Sequence, residues 1–477
     1  MLPGVKRLQK HASLFSVFFI AFFVRLIYNL TSARQYYARF DAAWYNHIAY
    51  SIVYQHCFCQ YLNTTLPSIS RPPLWPAILS VFYFLTPRPS LRVLDSGIQV
   101  FDGRLLLCFV GSFTCVLVYL LARDLFGKRV ALITGYIAAV YTGLFIYDGW
   151  LYTESLYTFL QTVFLYSLYR LQRTRQRRWI VLSGLSLGLA MLARPNGAVL
   201  MAMLALWCIA MVMAKELRWQ TTVRSTLAIA CIAAALVAPW TYRNYLVLHS
   251  FVLVSVGEGD VLLGAYNDGV LRDTQGFWIA PRDIRPRTDL PPIVLVGHDA
   301  PHYTLQNDKM ATDYALHWIV SHWRDVPRLL GEHFSSMWTP YTPEQNLPFR
   351  EYPGLFSSQV VWYLTLSMPI PIFLLALVGG LVTWRRWKQL LIVVYSMIAL
   401  VIAQNLVFYG TMRFRSSIEP LLVLLAGGAI WWLSGDEPGT LRYRRLQKRA
   451  STAKIKDVAR IVEPKSTETG LSGDFIR

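Results

Sequence analysis

The residues best suited to chemistry form one run, Arg39-Phe-Asp-Ala-Ala-Trp-Tyr-Asn-His47, with Arg71-Pro-Pro-Leu-Trp-Pro76 some thirty residues on. Asp41 is the only acidic residue between Met1 and Arg71. A carboxylate at a membrane surface, close to several cations, is suited to taking the proton of an attacking hydroxyl in a transfer reaction. Aspartate is also a favoured helix cap, and a helix starting at Ala42 would use it so. The sequence leaves both roles open. Tyr45 and His47 lie on the following turn, placed either to orient a substrate or to sit in an interfacial aromatic belt.

Arginine is the second signal. Arg71, Arg194, Arg243, Arg413 and Arg415 fall at the predicted outer ends of membrane helices, where basic residues are disfavoured. One reading is snorkelling toward lipid phosphates. The other is a bound phosphate gripped by guanidinium forks, and five such arginines favour an anionic site facing outward. Glu154, just after Asp148-Gly-Trp-Leu-Tyr-Thr153, is a third candidate, because an ionisable group near a membrane segment is functional by default. Glu419 stands near Arg413 and Arg415 and has a ready pairing role. His298, His302, His317, His322 and His333 lack the spacing of a zinc helix, so the sequence argues for no metal and leaves room for a divalent ion. Cys57 and Cys59 are two positions apart. A disulfide between them would be strained and a metal site would need further ligands, so neither is expected.

These residues need a membrane scaffold. The chain has 477 residues, is 55% hydrophobic and only 15% charged, with a mean hydropathy of +0.37. A soluble protein of this length keeps about 25% charged residues. The net charge of +19 would suggest nucleic acid in a soluble protein. Here the charge lies in short loops and the tail, which is cytoplasmic loop charge, and no nucleic acid is expected. Ten apolar runs are candidate spans: 13–30, 103–122, 130–147, 151–170, 179–193, 197–214, 225–241, 360–383, 389–409 and 417–434. The basic clusters at 123–129, 170–178, 215–224 and 385–388, with the tail, fall on one side if these alternate. That puts both termini in the cytoplasm. The apolar run 73–86 is short and begins Pro72-Pro73, so it is read as a juxtamembrane helix.

The first outward loop is then 31–102 and the largest outward segment 242–359. Within the latter, 305–337 reads as an interfacial amphipathic helix broken near Pro327. The expected organisation is an all-α bundle over 1–435, with a basic, disordered tail over 436–477. No internal repeat of the transporter kind is evident.

With these residues in place, the chain resembles the GT-C class of polyprenyl-phosphate-sugar-dependent glycosyltransferases, in the branch of protein O-mannosyltransferases and aminoarabinose transferases. The matching stretches are Asp41-x-x-x-Tyr45-x-x-x-Ala49, Arg71-Pro-Pro-Leu74, Ala122-Arg-Asp-Leu-Phe-Gly127, Thr153-Glu154, Gly184-Leu-Ser-Leu-Gly-Leu-Ala190 with Arg194-Pro195, Pro239-Trp-Thr-Tyr-Arg-Asn244, and Arg413-Phe-Arg415 before Glu419-Pro420. Many relatives carry two adjacent acidic residues in the first loop, and Ala42 stands at the second position here.

The resemblance implies a polyprenyl-phosphate sugar as donor, a protein, lipid or glycan as acceptor, and a plasma-membrane enzyme working on the outer side. It implies Asp41 as base and Arg71, Arg194, Arg243, Arg413 and Arg415 as phosphate holders, with Tyr45, His47 and Glu154 positioning substrate. The leaving phosphate is already a stable anion, so one base and positive charge would suffice for a single displacement with inversion. Three rival readings remain: a lipid-linked sugar flippase with the same arginines and no base, a non-catalytic membrane scaffold, and an oligosaccharide polymerase or ligase of the same class.

Overall fold

A computed structural model describes residues 3–31, 33–34, 36–215, 218–274, 276–284, 291–292, 296–297, 300, 303–340, 367–387 and 389–435. The expected disordered tail, residues 360–366 of one predicted span, His298 and His302 lie outside the described residues. Everything described is helix, turn or loop, apart from two isolated bridges, Tyr37–Ser96 and Cys59–Pro67.

The first half contains α1 (Pro3–Leu30), α2 (Asp41–Tyr54), α3 (Leu74–Leu85), α4 (Phe101–Val140), α5 (Thr142–Phe145), α6 (Glu154–Thr174), α7 (Arg177–Ala193), α8 (Val199–Met213) and α9 (Trp219–Leu248). The second half contains α10 (Glu258–Ala265), α11 (Asp268–Asp273), α12 (Leu305–Ser321), α13 (Val326–Trp338), α14 (Pro369–Trp387), α15 (Ile392–Val407), α16 (Met412–Arg415) and α17 (Glu419–Ser434). α1 packs on α4, α4 on α6 and α17, α17 on α14, and α7 on α6 and α9. Trp75, Trp207 and Trp431 are among the largest fully buried side chains.

Among the described residues, six helices are long and apolar enough to cross a membrane: Ala12–Leu30, Phe101–Val140, Pro195–Met213, Trp219–Leu248, Pro369–Trp387 and Met412–Ser434. This is a multi-pass membrane protein. One of the six is two predicted spans joined. A straight helix of 40 residues would run about 60 Å, twice the hydrocarbon thickness. Gly127, at φ +80° and ψ 170°, breaks it, a conformation open to glycine and costly for other residues. The two arms then fold back on each other: Cys115 Sγ lies 3.3 Å from Ala138 O, and a Cβ on Gly135 would meet Tyr119. The predicted spans 151–170, 179–193 and 389–409 appear as α6, α7 and α15. α6 is amphiphilic and largely buried, while α7 and α15 have only 17 and 16 residues. α3, at 12 residues, reaches about 18 Å and is too short to cross.

The break predicted near Pro327 falls at residues 322–325, between α12 and α13, with Pro327 in the first turn of α13. α10, α11, α12 and α13, with the loop before α12, share a small core of Leu263, Tyr266, Val270, Ile284, Ala311 and Leu329. This unit docks on the end of α15 through Tyr266 Oη to Val407 O at 2.8 Å and His333 Nδ1 to Leu406 O at 2.9 Å.

Candidate active site

α2 begins at Asp41 itself. Phe40 takes the N-cap position with φ +50°, and no side chain caps the helix. The Asp41 carboxylate instead meets two guanidiniums. Arg71 Nη2 donates to Oδ1 at 2.9 Å and Arg413 Nη2 to Oδ2 at 2.8 Å. The Arg413 Nε holds Glu154 Oε1, and Arg194 Nη1 donates to the same oxygen at 2.9 Å. Five side chains thus alternate in charge: Arg71, Asp41, Arg413, Glu154, Arg194. Three guanidiniums against two carboxylates leave one positive charge over.

Local sequence explains how these side chains are delivered. Arg71 and Arg194 each precede a proline at the mouth of a helix. Proline disfavours helix in the residue before it, and Arg194 is extended at φ −149°, ψ 143°. Glu154 opens α6, where the helix dipole favours a carboxylate. Arg413 lies in the single turn α16, whose first amides are capped by Thr411. Its guanidinium sits over the Tyr152 ring at 4.4 Å, and Arg194 lies between Tyr157 and Phe414 at 5.9 and 5.5 Å. These rings give the arginines polarisable contacts on their flat faces.

The charged row is open at one place. Asp41 and Arg413 side chains are 23% and 26% exposed, whereas Glu154 is at 0%. Of the two carboxylates, Asp41 alone can meet an incoming group without rearrangement. Glu154, shut off from solvent, pairs with both Arg194 and Arg413 through one oxygen. Tyr45, one turn along α2, is buried beside the row. Burial, with the Asp41 charge adding, pushes its phenol above the usual range, so it stays protonated and can donate. Tyr409 faces the same charges, stacked on Trp278 at 6.1 Å and packed on Phe414 at 5.0 Å.

Several expected residues sit elsewhere. His47 Nε2 bonds Asp95 Oδ2 at 2.8 Å, beside the Asn46 bond to Asp95, and ties α2 to the loop before α4. It falls on a different helix face from Asp41 and Tyr45. Arg415 is 2% exposed and bonds inward: Nε to Glu419 Oε1 at 2.7 Å, Nη1 to Met337 O at 2.5 Å and Thr339 O at 3.1 Å. It closes the end of α13 and is almost wholly shut off from solvent. Glu419 also accepts from Tyr141 Oη at 2.9 Å.

Arg243 lies outside the row, with no carboxylate in salt-bridge range among the described residues. It donates to Ser68 O and Asn244 Oδ1, both at 3.1 Å, and packs on Trp240 and Phe58. Cys57 and Cys59 are joined as a disulfide around Phe58, contrary to expectation from their spacing; their Cα atoms are 5.3 Å apart. Cys231 of α9 is exposed. Among the described residues no group of three or more His, Cys, Asp or Glu side chains could hold a metal ion.

Sequence reasoning missed Tyr152, Tyr157, Phe414 and Asp95. The first three border Glu154 and Arg413 in sequence, and aromatic neighbours of candidate charges were the available signal. Nothing in the sequence marks Asp95.

The helical bundle is GT-C-like in fold. It overlays the archaeal oligosaccharyltransferase AglB from Archaeoglobus fulgidus, solved with an inhibitory peptide and a dolichol-phosphate, at a TM-score of 0.52 and 14% identity, covering 89% of this chain and 50% of that one. A second structure of the same organism's oligosaccharyltransferase, in complex with Zn and sulfate, gives 0.52 and 14%, covering 94% and 51%. The chain therefore spans about half the length of these relatives. ArnT from Cupriavidus metallidurans bound to undecaprenyl phosphate overlays more loosely, at 0.39 and 14%, covering 89% and 78%. Residues 70–242 match the dolichyl-phosphate-mannose-protein mannosyltransferase family model. No curated protein sequence matches.

Proposed function

We propose that this protein is a membrane glycosyltransferase that moves a monosaccharide from a polyprenyl-phosphate donor to an acceptor hydroxyl on the extracytoplasmic side. In this reading ten segments cross the membrane, the termini are cytoplasmic, and α2, α3 and α10 to α13 lie on the outer face. The observation that carries it is the partly exposed Asp41 carboxylate held between Arg71 and Arg413.

The reaction is a single displacement with inversion. The acceptor O–H gives its proton to Asp41 as its oxygen attacks the anomeric carbon. The bond from that carbon to the phosphate oxygen breaks, and the polyprenyl phosphate leaves with the bonding electrons. In the resting site two guanidiniums keep Asp41 ionised and make it a poor base. An incoming phosphate competes for the same forks. As its charge grows during bond breaking, the arginines turn toward it and Asp41 becomes more basic as its proton arrives. Arg243, lacking a carboxylate partner among the described residues, supplies positive charge for the donor phosphate. Arg194 and Glu154 keep Arg413 in place. Tyr45 donates to a sugar or phosphate oxygen. The retaining glycosidase arrangement of two close carboxyls is not needed.

The test is transfer from a panel of radiolabelled polyprenyl-phosphate monosaccharides in proteoliposomes, wild type beside Asp41→Asn. Transfer by wild type that collapses in the folded variant supports the reading. Equal transfer removes Asp41 from the chemistry, and lipid-linked sugar crossing the bilayer without transfer favours a flippase.

A further inference from the structure

A second buried ion pair lies beneath the site. Arg25 of α1 is fully buried, and its Nε donates to Asp148 Oδ2 at 2.6 Å. Its remaining nitrogens reach Ala21 O, Ala139 O, Leu144 O and Cys115 Sγ at 3.1 to 3.4 Å. Arg25 thereby joins α1, both arms of α4 and α5. Gly111 makes room for it: a Cβ there would meet Arg25 Nε at 2.6 Å and would overlap Asp148 Oδ2. The residues after Asp148 are also pinned. Arg104 Nε donates to Gly149 O at 2.8 Å, Trp75 Nε1 to Leu151 O at 3.0 Å, and Leu151 N to Tyr36 Oη at 3.2 Å. This rigid stretch ends at Tyr152 and Glu154.

Between the pair and the row lies a cavity of about 10 Å³, lined in part by Asp148, Glu154, Ser155, Thr158 and Ser416. Glu154 Oε2 is buried without a hydrogen-bond partner, and Asp148 Oδ1 is buried with only the Ser155 hydroxyl beside it. That space has room for one water-sized occupant, and a buried water requires two to four polar partners. An occupant that satisfies both carboxylate oxygens is a double donor or a cation. Charge decides between them. Four guanidiniums (Arg25, Arg71, Arg194, Arg413) already face three carboxylates (Asp41, Asp148, Glu154). A cation would raise the excess positive charge in a low-dielectric interior, whereas a neutral water adds none.

We propose that one structural water bridges Asp148 Oδ1 to Glu154 Oε2, and that Arg25 and Asp148 are positioning residues for the site. The water completes a continuous chain from α1 to the base: Arg25, Asp148, water, Glu154, Arg413, Asp41. It holds Glu154 so that its other oxygen meets Arg194 and Arg413 together, which fixes the guanidinium that releases Asp41. The kinetic part of this inference rests on the proposed transferase function; the water itself does not.

Asp148→Asn alone leaves Arg25 without its counter-charge and risks misfolding. The double variant Arg25→Met/Asp148→Leu removes both charges at similar volume. In the folded double variant, kcat for sugar transfer is expected to fall at least tenfold while the donor KM changes less than threefold. A pair that only stabilises the fold would leave kcat unchanged in a variant of wild-type melting temperature, and that result would overturn the positioning role. The second readout is a cryo-EM map in nanodiscs at a resolution that shows waters. Density within hydrogen-bond distance of both oxygens in wild type, absent from the variant, supports the bridge. A dry cavity, or density that changes when sodium is exchanged for thallium, overturns it. If wild type transfers no sugar, the proposed function fails and the map still decides the water.

Discussion

Arg413 Nη2 donates to Asp41 Oδ2 across 372 positions of the chain. The first loop after α1 and the turn before α17 therefore meet at the carboxylate read as the base. The charged row has no local unit that could form alone. Its members come from 41, 71, 154, 194 and 413, so each can be removed and read separately.

Asp41→Asn keeps the shape of the side chain and removes its basicity. Transfer should fall by about 10²–10⁴-fold, the usual contribution of a general base. Donor binding should persist or tighten, because Arg71 and Arg413 lose a competing carboxylate. Parallel transfer and donor-binding titrations in proteoliposomes check this; weaker binding with unchanged turnover would move Asp41 to a substrate-holding role.

Arg243 and Arg415 should separate cleanly. Arg243→Ala should raise the donor KM about tenfold with little change in melting temperature, since it removes a cation with no carboxylate partner among the described residues. Arg415→Met strands Glu419 in the interior, which costs about 3–5 kcal/mol. It should lower the melting temperature, and Arg415→Met/Glu419→Leu should restore most of it. Thermal unfolding in detergent distinguishes the two.

Gly111→Ala tests the close approach around Arg25. A methyl there must displace Asp148 or Arg25, and overpacking of this kind costs about 1–3 kcal/mol. Gly331→Ala is the control, because a Cβ there meets nothing within 4 Å. Equal melting temperatures for the two variants would argue against the packing described.

The contact of α13 with α15 should depend on pH. His333 is buried, and burial pushes its imidazole below the usual histidine range, against the opposing pull of the Leu406 carbonyl and Glu332. The Tyr266 ring packs on its other side. A depressed folded pKa means the neutral form is favoured by docking. That stabilisation is full above about pH 6.5, the ordinary histidine value, and is lost as pH falls from there through the folded value. Limited proteolysis of residues 326–338 should be faster at pH 5.5 than at pH 7.5, and His333→Gln should remove the difference. Equal cleavage at both pH values in wild type would show that this histidine does not control docking.

The membrane bundle was legible in the sequence because a span is a local property of about twenty residues. Asp41, Arg71, Arg194 and Arg413 were legible as charges in places where charge is costly. Their pairing was not, because the ladder depends on which helix ends converge, and no single segment encodes that. Arg415 illustrates the limit: beside Arg413 in sequence, it points to the end of α13 instead. His47 shows it on a helix, where two positions from Tyr45 turn a side chain to another face. Cys57 and Cys59 were misread because spacing alone argued for strain, whereas the folded loop brings the two sulfurs together.

Arg25 has a consequence for how the protein is made. Its partner Asp148 lies 123 residues later, which at 5–20 residues per second is roughly ten seconds of synthesis. Until then the first hydrophobic segment carries an uncompensated guanidinium, at about 2.5–3.5 kcal/mol near a helix centre on insertion scales. The segment must linger at the translocon or draw its charge toward the headgroups until the hairpin of α4 arrives. Entry of this chain into the bilayer is then a delayed, cooperative event, licensed by a residue of the third apolar segment's edge and not by the leading one.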